Sequence, residues 1–228
     1  MPELTEGAVF INQIISILEE ICFGDYHFQV AVMLRNTLFI SSVLCNSEAW
    51  YDITAEERDK LEQADENLLR RILECPAKTP KEMLYLELNC LPIRFIIMKR
   101  RLNFLSSILK EDEDSLLFKF LQAQLKNPNK KDWGQTVIMD MEMLEMDISL
   151  PEIASMSSDG FRKIVNERIR KEALEYINKE KSKHSKVMHI PHTEMQLQDY
   201  LSPNDISVKE AGKKFQLRCR MLDVRCQE

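Results

Sequence analysis

Apolar residues recur at helical spacing along almost the whole chain. In residues 7–22, Phe10, Ile11, Ile14, Ile15, Leu18 and Ile21 share one face, and Gly24 with Asp25 breaks the run. Residues 26–46 are apolar nearly all round, through Val30, Val32, Leu34, Leu38, Phe39, Ile40, Val43 and Leu44. Such a segment is expected to be central in a bundle. Thr54 with Glu57 then reads as a capping box, in which the hydroxyl caps a free N–H and the carboxylate reaches back. Leu61, Ala64, Leu68 and Ile72 supply the helical period that follows, and Pro76 ends it. Thr79 with Glu82 predicts a second box, with Pro80 at the first helical position, where its missing N–H costs nothing.

A further helix is predicted from near Pro92 to about Lys110. Pro128 and Pro151 punctuate the next stretch, and Ser149 with Glu152 repeats the cap signature. A long helix is predicted over 158–181, with Phe161, Val165, Ile169, Ala173 and Tyr176 on one face. Pro191 and Pro203 bound a short helix, and 208–224 reads as the last. No alternating strand pattern, internal repeat or low-complexity tract stands out. The expected fold class is therefore all-α, a multi-helix bundle array with no sheet of three or more strands. The acidic turn at 111–114 and the polar loop at 127–132 are the natural boundaries, which divides the chain into 1–112 and 113–228.

Composition sharpens this picture. Only 5 of the 228 residues are glycine, against a usual share of about 7%. So few glycines leave little material for the tight turns of a sandwich or barrel, or for a phosphate-cradling loop. The net charge of -6 argues against a generally basic nucleic-acid coat. Residues 58–110 and 158–228 are nevertheless each +4, between acidic stretches at 1–57 and 111–157. No basic leader opens the chain and no apolar run reaches membrane-spanning length, so an intracellular protein of nucleus or cytoplasm is expected, with no membrane partner. Cys22, Cys45, Cys75 and Cys90 sit among apolar residues and read as small buried hydrophobes.

Candidate chemistry is sparse. His27 lies between aromatic residues, and His184 sits at a lysine-rich helix end. His189 and His192, with Cys219 and Cys226, offer four metal-ligand types but lack the usual zinc spacing, so no metal and no cofactor is expected. The acidic clusters 111–114 and 140–145 read as solvated faces or helix-terminal charge. One helix is more informative. Leu91, Phe95, Met98, Leu102, Leu105 and Leu109 form its apolar stripe, widened by Ile97, Phe104 and Ile108. Arg94 and Arg101, seven apart, fall on this side, while Lys99, Asn103, Ser106, Ser107 and Lys110 take the opposite edge. A buried guanidinium needs an anionic partner. An internal carboxylate such as Glu82 or Glu87 is the first expectation, and backbone phosphate the alternative.

Several short blocks carry a resemblance. They are Leu34-Arg35-Asn36-Thr37-Leu38-Phe39-Ile40, Asn46-Ser47-Glu48-Ala49-Trp50-Tyr51, Thr79-Pro80-Lys81-Glu82-Met83-Leu84-Tyr85-Leu86-Glu87-Leu88 and Leu91-Pro92-Ile93-Arg94-Phe95-Ile96-Ile97. Asp132-Trp133, His184-Ser185-Lys186, Met195-Gln196-Leu197-Gln198-Asp199-Tyr200-Leu201 and Arg220-Met221-Leu222-Asp223-Val224 follow in order. Together they resemble the region downstream of the reverse transcriptase core in non-LTR retrotransposon polyproteins, of the type with a C-terminal restriction-like endonuclease. The resemblance implies a helical thumb over 7–50 and a helical linker beyond it, a region that grips template RNA and primer duplex. It implies no catalytic residue, because the aspartate pair that holds the polymerase metals is not in this sequence. Cys219 and the ending Cys226-Gln227-Glu228 depart from the family pattern. Arg94, Lys99, Arg100 and Arg101 match a basic run of the family and are the nucleic-acid-binding residues it implies. The expected function is a non-catalytic fragment of such a polyprotein with weak RNA or DNA binding, and with the upstream polymerase domain as a partner in a longer product. The alternative is a helical protein-interaction module or inert remnant with no nucleic-acid role.

Overall fold

The computed structural model describes Ser16 and residues 28–126, 131–190, 194–201 and 208–221. The predicted helix over 7–22, apart from Ser16, lies outside the described residues, as do His27, His192, Cys22 and Cys226. Among the described residues every regular element is helical and no strand occurs, which is the all-α class that the periodicity predicts. In chain order the helices are α1 (Phe28–Leu34), α2 (Ile40–Val43), α3 (Ala55–Ile72), α4 (Lys81–Glu87), α5 (Ile93–Ile108), α6 (Leu116–Leu125), α7 (Trp133–Met143), α8 (Leu150–Ser155), α9 (Ser158–Lys181) and α10 (Val208–Arg218). A π-helical stretch, Arg35–Phe39, joins α1 to α2. Short 3-10 turns lie at Ser47–Ala49 and Asp199–Leu201.

Contacts group the chain into two compact units. The first takes residues 1–45, 60–90 and 174–228, and the second takes 46–59 and 91–173. In the first, Phe28, Ala31, Phe39, Ile40 and Leu44 are buried, whereas Met33 and Leu38 are exposed. The 28–43 segment thus buries one face rather than its whole circumference. That buried face includes Arg35, which is 1% exposed. Arg35 donates from Nε and Nη2 to the two carboxylate oxygens of Asp65, at 2.6 and 2.5 Å. Nη1 donates to Asn36 Oδ1 at 2.9 Å. Burial opposes the Arg35 charge, but Asp65 more than offsets this and holds the guanidinium above its ordinary value. Burial also lifts the Asp65 carboxyl, and Arg35 pulls it back.

This pair explains the inward face of α3. Leu68, Leu69 and Ile72 are buried, but so are Glu62, Asp65 and Glu66, while the predicted stripe residues Leu61 and Ala64 are only half-buried. Helix α4 is enclosed from Glu82 through Leu88. Its carboxylates lie close to basic side chains of the same unit, Glu82 Oε2 3.4 Å from His184 Nε2 and Glu87 Oε1 2.9 Å from Arg218 Nε, though among the described residues neither Glu82 Oε2 nor Arg218 Nε makes a hydrogen bond. The Tyr200 hydroxyl donates to Glu87 Oε2 at 2.5 Å. Lys181, 1% exposed at the end of α9, donates to the Ile190 carbonyl at 3.0 Å.

Two of the three capping boxes close. Thr54 and Glu57 exchange bonds in both directions, and so do Ser149 and Glu152. The Thr79 box does not. Thr79 N–H goes to the Pro76 carbonyl at 2.9 Å, and α4 begins after Pro80 with no side-chain cap. Of the cysteines expected to be small buried hydrophobes, Cys90 is buried, Cys75 is only half-buried, and Cys45 is instead exposed where the turn after α2 carries it outward; Cys219 is buried too.

Candidate nucleic-acid interface

The four basic residues of interest lie on α5, in the second unit. The helix begins after Pro92, which supplies the carbonyl for the first helical bonds. Phe95, Ile97, Met98, Leu102, Leu105, Ile108 and Leu109 are buried, as the predicted stripe requires, while Leu91 and Phe104 are half-buried and Ile93, outside the stripe, is buried as well. Against this face pack the Ser47–Ala49 turn, α6 and α7. Phe104 meets the edge of Trp133 with ring centroids 5.6 Å apart, and Trp133 Nε1 donates to the Glu48 carbonyl at 2.7 Å. Ser106, expected on the open edge, is instead buried.

The α5 cations have different surroundings. Arg101 is 8% exposed and turned inward. Its Nε and Nη2 donate to Asp140 on α7 at 2.6 and 2.8 Å, and Nη1 donates to the Trp50 carbonyl at 3.1 Å. All three contacts use the planar fork, so this guanidinium is committed to the interior. Its partner is Asp140, not Glu82 or Glu87. Asp140 is 4% exposed, so it is no part of a solvated acidic face as the cluster 140–145 suggested. Burial raises the Asp140 carboxyl above the usual aspartate range, and Arg101 draws it back down.

Arg100 is half-buried and donates from Nη1 to the Ser47 hydroxyl at 3.2 Å, a group that is itself fully buried. Arg94 and Lys99 are also half-buried. Successive residues on a helix are about 100° apart, so Lys99 and Arg100 point to different sides of α5. The four basic residues therefore do not form one continuous exposed patch.

Among the described residues the remaining sequence candidates do not converge. His184 is half-exposed beside Glu82, His189 is exposed, and Cys219 is buried. Among the described residues no group of three or more His, Cys, Asp or Glu is placed to hold a metal ion. Burial pushes the Cys90 thiol up to about 11 and raises Cys219 as well, which keeps both as thiols at neutral pH.

Sequence reasoning missed two features. Asp140 as the partner of Arg101 carries no local signal, because the two are 39 residues apart. The exposed apolar side of α6, with Leu116, Leu117 and Phe120, did leave a signal: α6 has leucines or phenylalanines on opposite faces of a single ten-residue helix. No protein-family model matches the chain, and no match was found among the curated proteins or the solved structures.

Proposed function

We propose that this chain is a non-catalytic helical module of the kind that follows the polymerase core in non-LTR retrotransposon polyproteins. What it retains is weak binding to RNA or DNA backbone. The observation that carries this proposal is the ordered series of blocks from Leu34 to Val224. The geometry adds that Lys99 and Arg100 keep part of their side chains in solvent while Arg101 serves the core. An intracellular site, nucleus or cytoplasm, accords with this reading. No helix of the described residues is long and apolar enough to cross a membrane.

With so few cations the affinity belongs in the non-specific range, about 10⁻⁴ to 10⁻⁶ M, and it falls as salt rises because bound phosphates release counterions. The test is a titration of labelled RNA hairpin and DNA duplex at low and at physiological salt. Weak binding that fades with salt is expected for both, and no binding even at low salt overturns the proposal. In the same preparation, primer extension with magnesium should not exceed a mock sample.

A second reading, a protein-interaction module without a nucleic-acid role, is favoured by the exposed apolar side chains Leu116, Leu117 and Phe120.

A further inference from the structure

Helix α6 is apolar on two sides. Inward, Leu121 is buried, and Phe118 and Leu125 are half-buried. Gly134 brings α7 close: its N–H donates to Gln124 Oε1 at 3.0 Å, and a Cβ there would meet Gln124 Cβ at 3.0 Å. Outward, Leu116 is 82% exposed, Phe120 60% and Leu117 49%. Leu116 and Phe120 are one turn apart, and exposed Ala123 continues their row. Leu117 flanks the row on one side. Lys119 flanks it on the other, but its Nζ is held 2.7 Å from Asp114 Oδ1.

The ground beside this row is acidic. Glu111, Asp112 and Glu113 are exposed in the turn that leads into α6. We propose that the outward face of α6 docks a basic amphipathic helix from a protein partner. Its apolar residues would cover Leu116, Leu117, Phe120 and Ala123, and its Lys or Arg side chains would meet Glu111, Asp112 and Glu113. This is the mode in which an amphipathic helix lays its apolar side on an exposed apolar strip. Charge selects the occupant. A second copy of the chain would set one acidic turn against another, and a phosphate backbone or anionic lipid surface would be repelled by the same carboxylates. The inference rests on the protein-interaction reading, not on the nucleic-acid one.

The test uses the full chain and two fluorescent synthetic helices of identical apolar pattern, one Leu/Lys and one Leu/Glu. The Leu/Lys helix should bind saturably and the Leu/Glu helix should not. Leu116→Ser with Phe120→Ser should weaken Leu/Lys binding by at least about tenfold, since both side chains lose their apolar contact. Circular dichroism should be unchanged, because both positions are exposed. Glu111→Gln with Glu113→Gln should weaken binding at low salt and flatten its salt dependence. Preference for the Leu/Glu helix would overturn the charge assignment and leave the interaction reading standing. Binding of neither helix would overturn both, and equal Leu/Lys binding by the Leu116/Phe120 variant would move the site off α6 and overturn the proposal. Self-association of the wild type that the same variant abolishes would assign the face to a second copy instead.

Discussion

Arg35 and Arg101 use the same device in separate units. Each is a guanidinium almost closed to solvent and gripped by both oxygens of one aspartate, Asp65 and Asp140. Removing two charges from water is expensive, and the mutual attraction repays it only while both partners are present. Asp140→Asn or Arg101→Met should therefore each destabilise the protein by about 3–5 kcal/mol in chemical denaturation. The double variant Arg101→Met/Asp140→Leu should recover most of that loss, because it leaves no buried charge. If each single variant cost no more than a surface substitution, the inward placement of Arg101 would be wrong. The sequence made an anionic partner for Arg101 predictable from burial alone. The identity of that partner depends on how α5 and α7 meet, which no local pattern encodes.

Helices were legible where the signal was local. The 158–181 helix has the predicted ends, and four of its five predicted face residues, Phe161, Val165, Ile169 and Ala173, are fully buried. Fully buried Ile177 completes the row where the prediction had Tyr176, which is half-buried. The boxes at Thr54 and Ser149 close because each stands at the true start of its helix. Thr79 fails because the Pro76 turn takes its N–H and Pro80 moves the helix start one residue on. Helix α3 misled because its buried side holds three acids, and hydrophobic periodicity cannot see a carboxylate that tertiary partners neutralise. Packing also reverses a propensity argument in α10. Alanine at a helical Gly212 would ordinarily gain about 1 kcal/mol. Here its Cβ would meet the Leu73 carbonyl oxygen at 3.0 Å, and a backbone atom yields little. Gly212→Ala should melt below wild type, and a higher melting temperature would show that α10 does not approach Leu73 this closely.

At the scale of the whole molecule, the buried carboxylates set the response to pH. Burial raises Glu66 and Glu87, whose cationic partners are partly exposed, above their ordinary values. A carboxyl raised in the folded state binds its proton there before it does in the unfolded chain. Its contribution to stability is complete below the ordinary carboxylate range, near about 4, and is lost as pH rises through the raised value. Glu152, lowered by its bonds from Ser149, and Glu180, lowered chiefly by its bond from Lys183, act in the opposite sense, below the ordinary range. Both carboxylates are solvent-screened, so their weight is small. Thermal melts should hold steady or rise as pH falls from about 7 to about 5, and a continuous fall over that window would contradict this accounting.

The all-α class was readable from glycine scarcity and period alone, whereas the proposed nucleic-acid surface was readable only as a run of basic residues. Folding divides that run, because Arg101 turns into the core while Lys99 stays at its edge. The most direct measurement is a titration of an RNA hairpin with wild type, Lys99→Glu and Lys213→Glu, the last an exposed lysine on α10. If backbone binding runs through α5, Lys99→Glu weakens it and lowers the salt slope by about one, while Lys213→Glu leaves both nearly unchanged. Equal binding by wild type and Lys99→Glu would contradict the account.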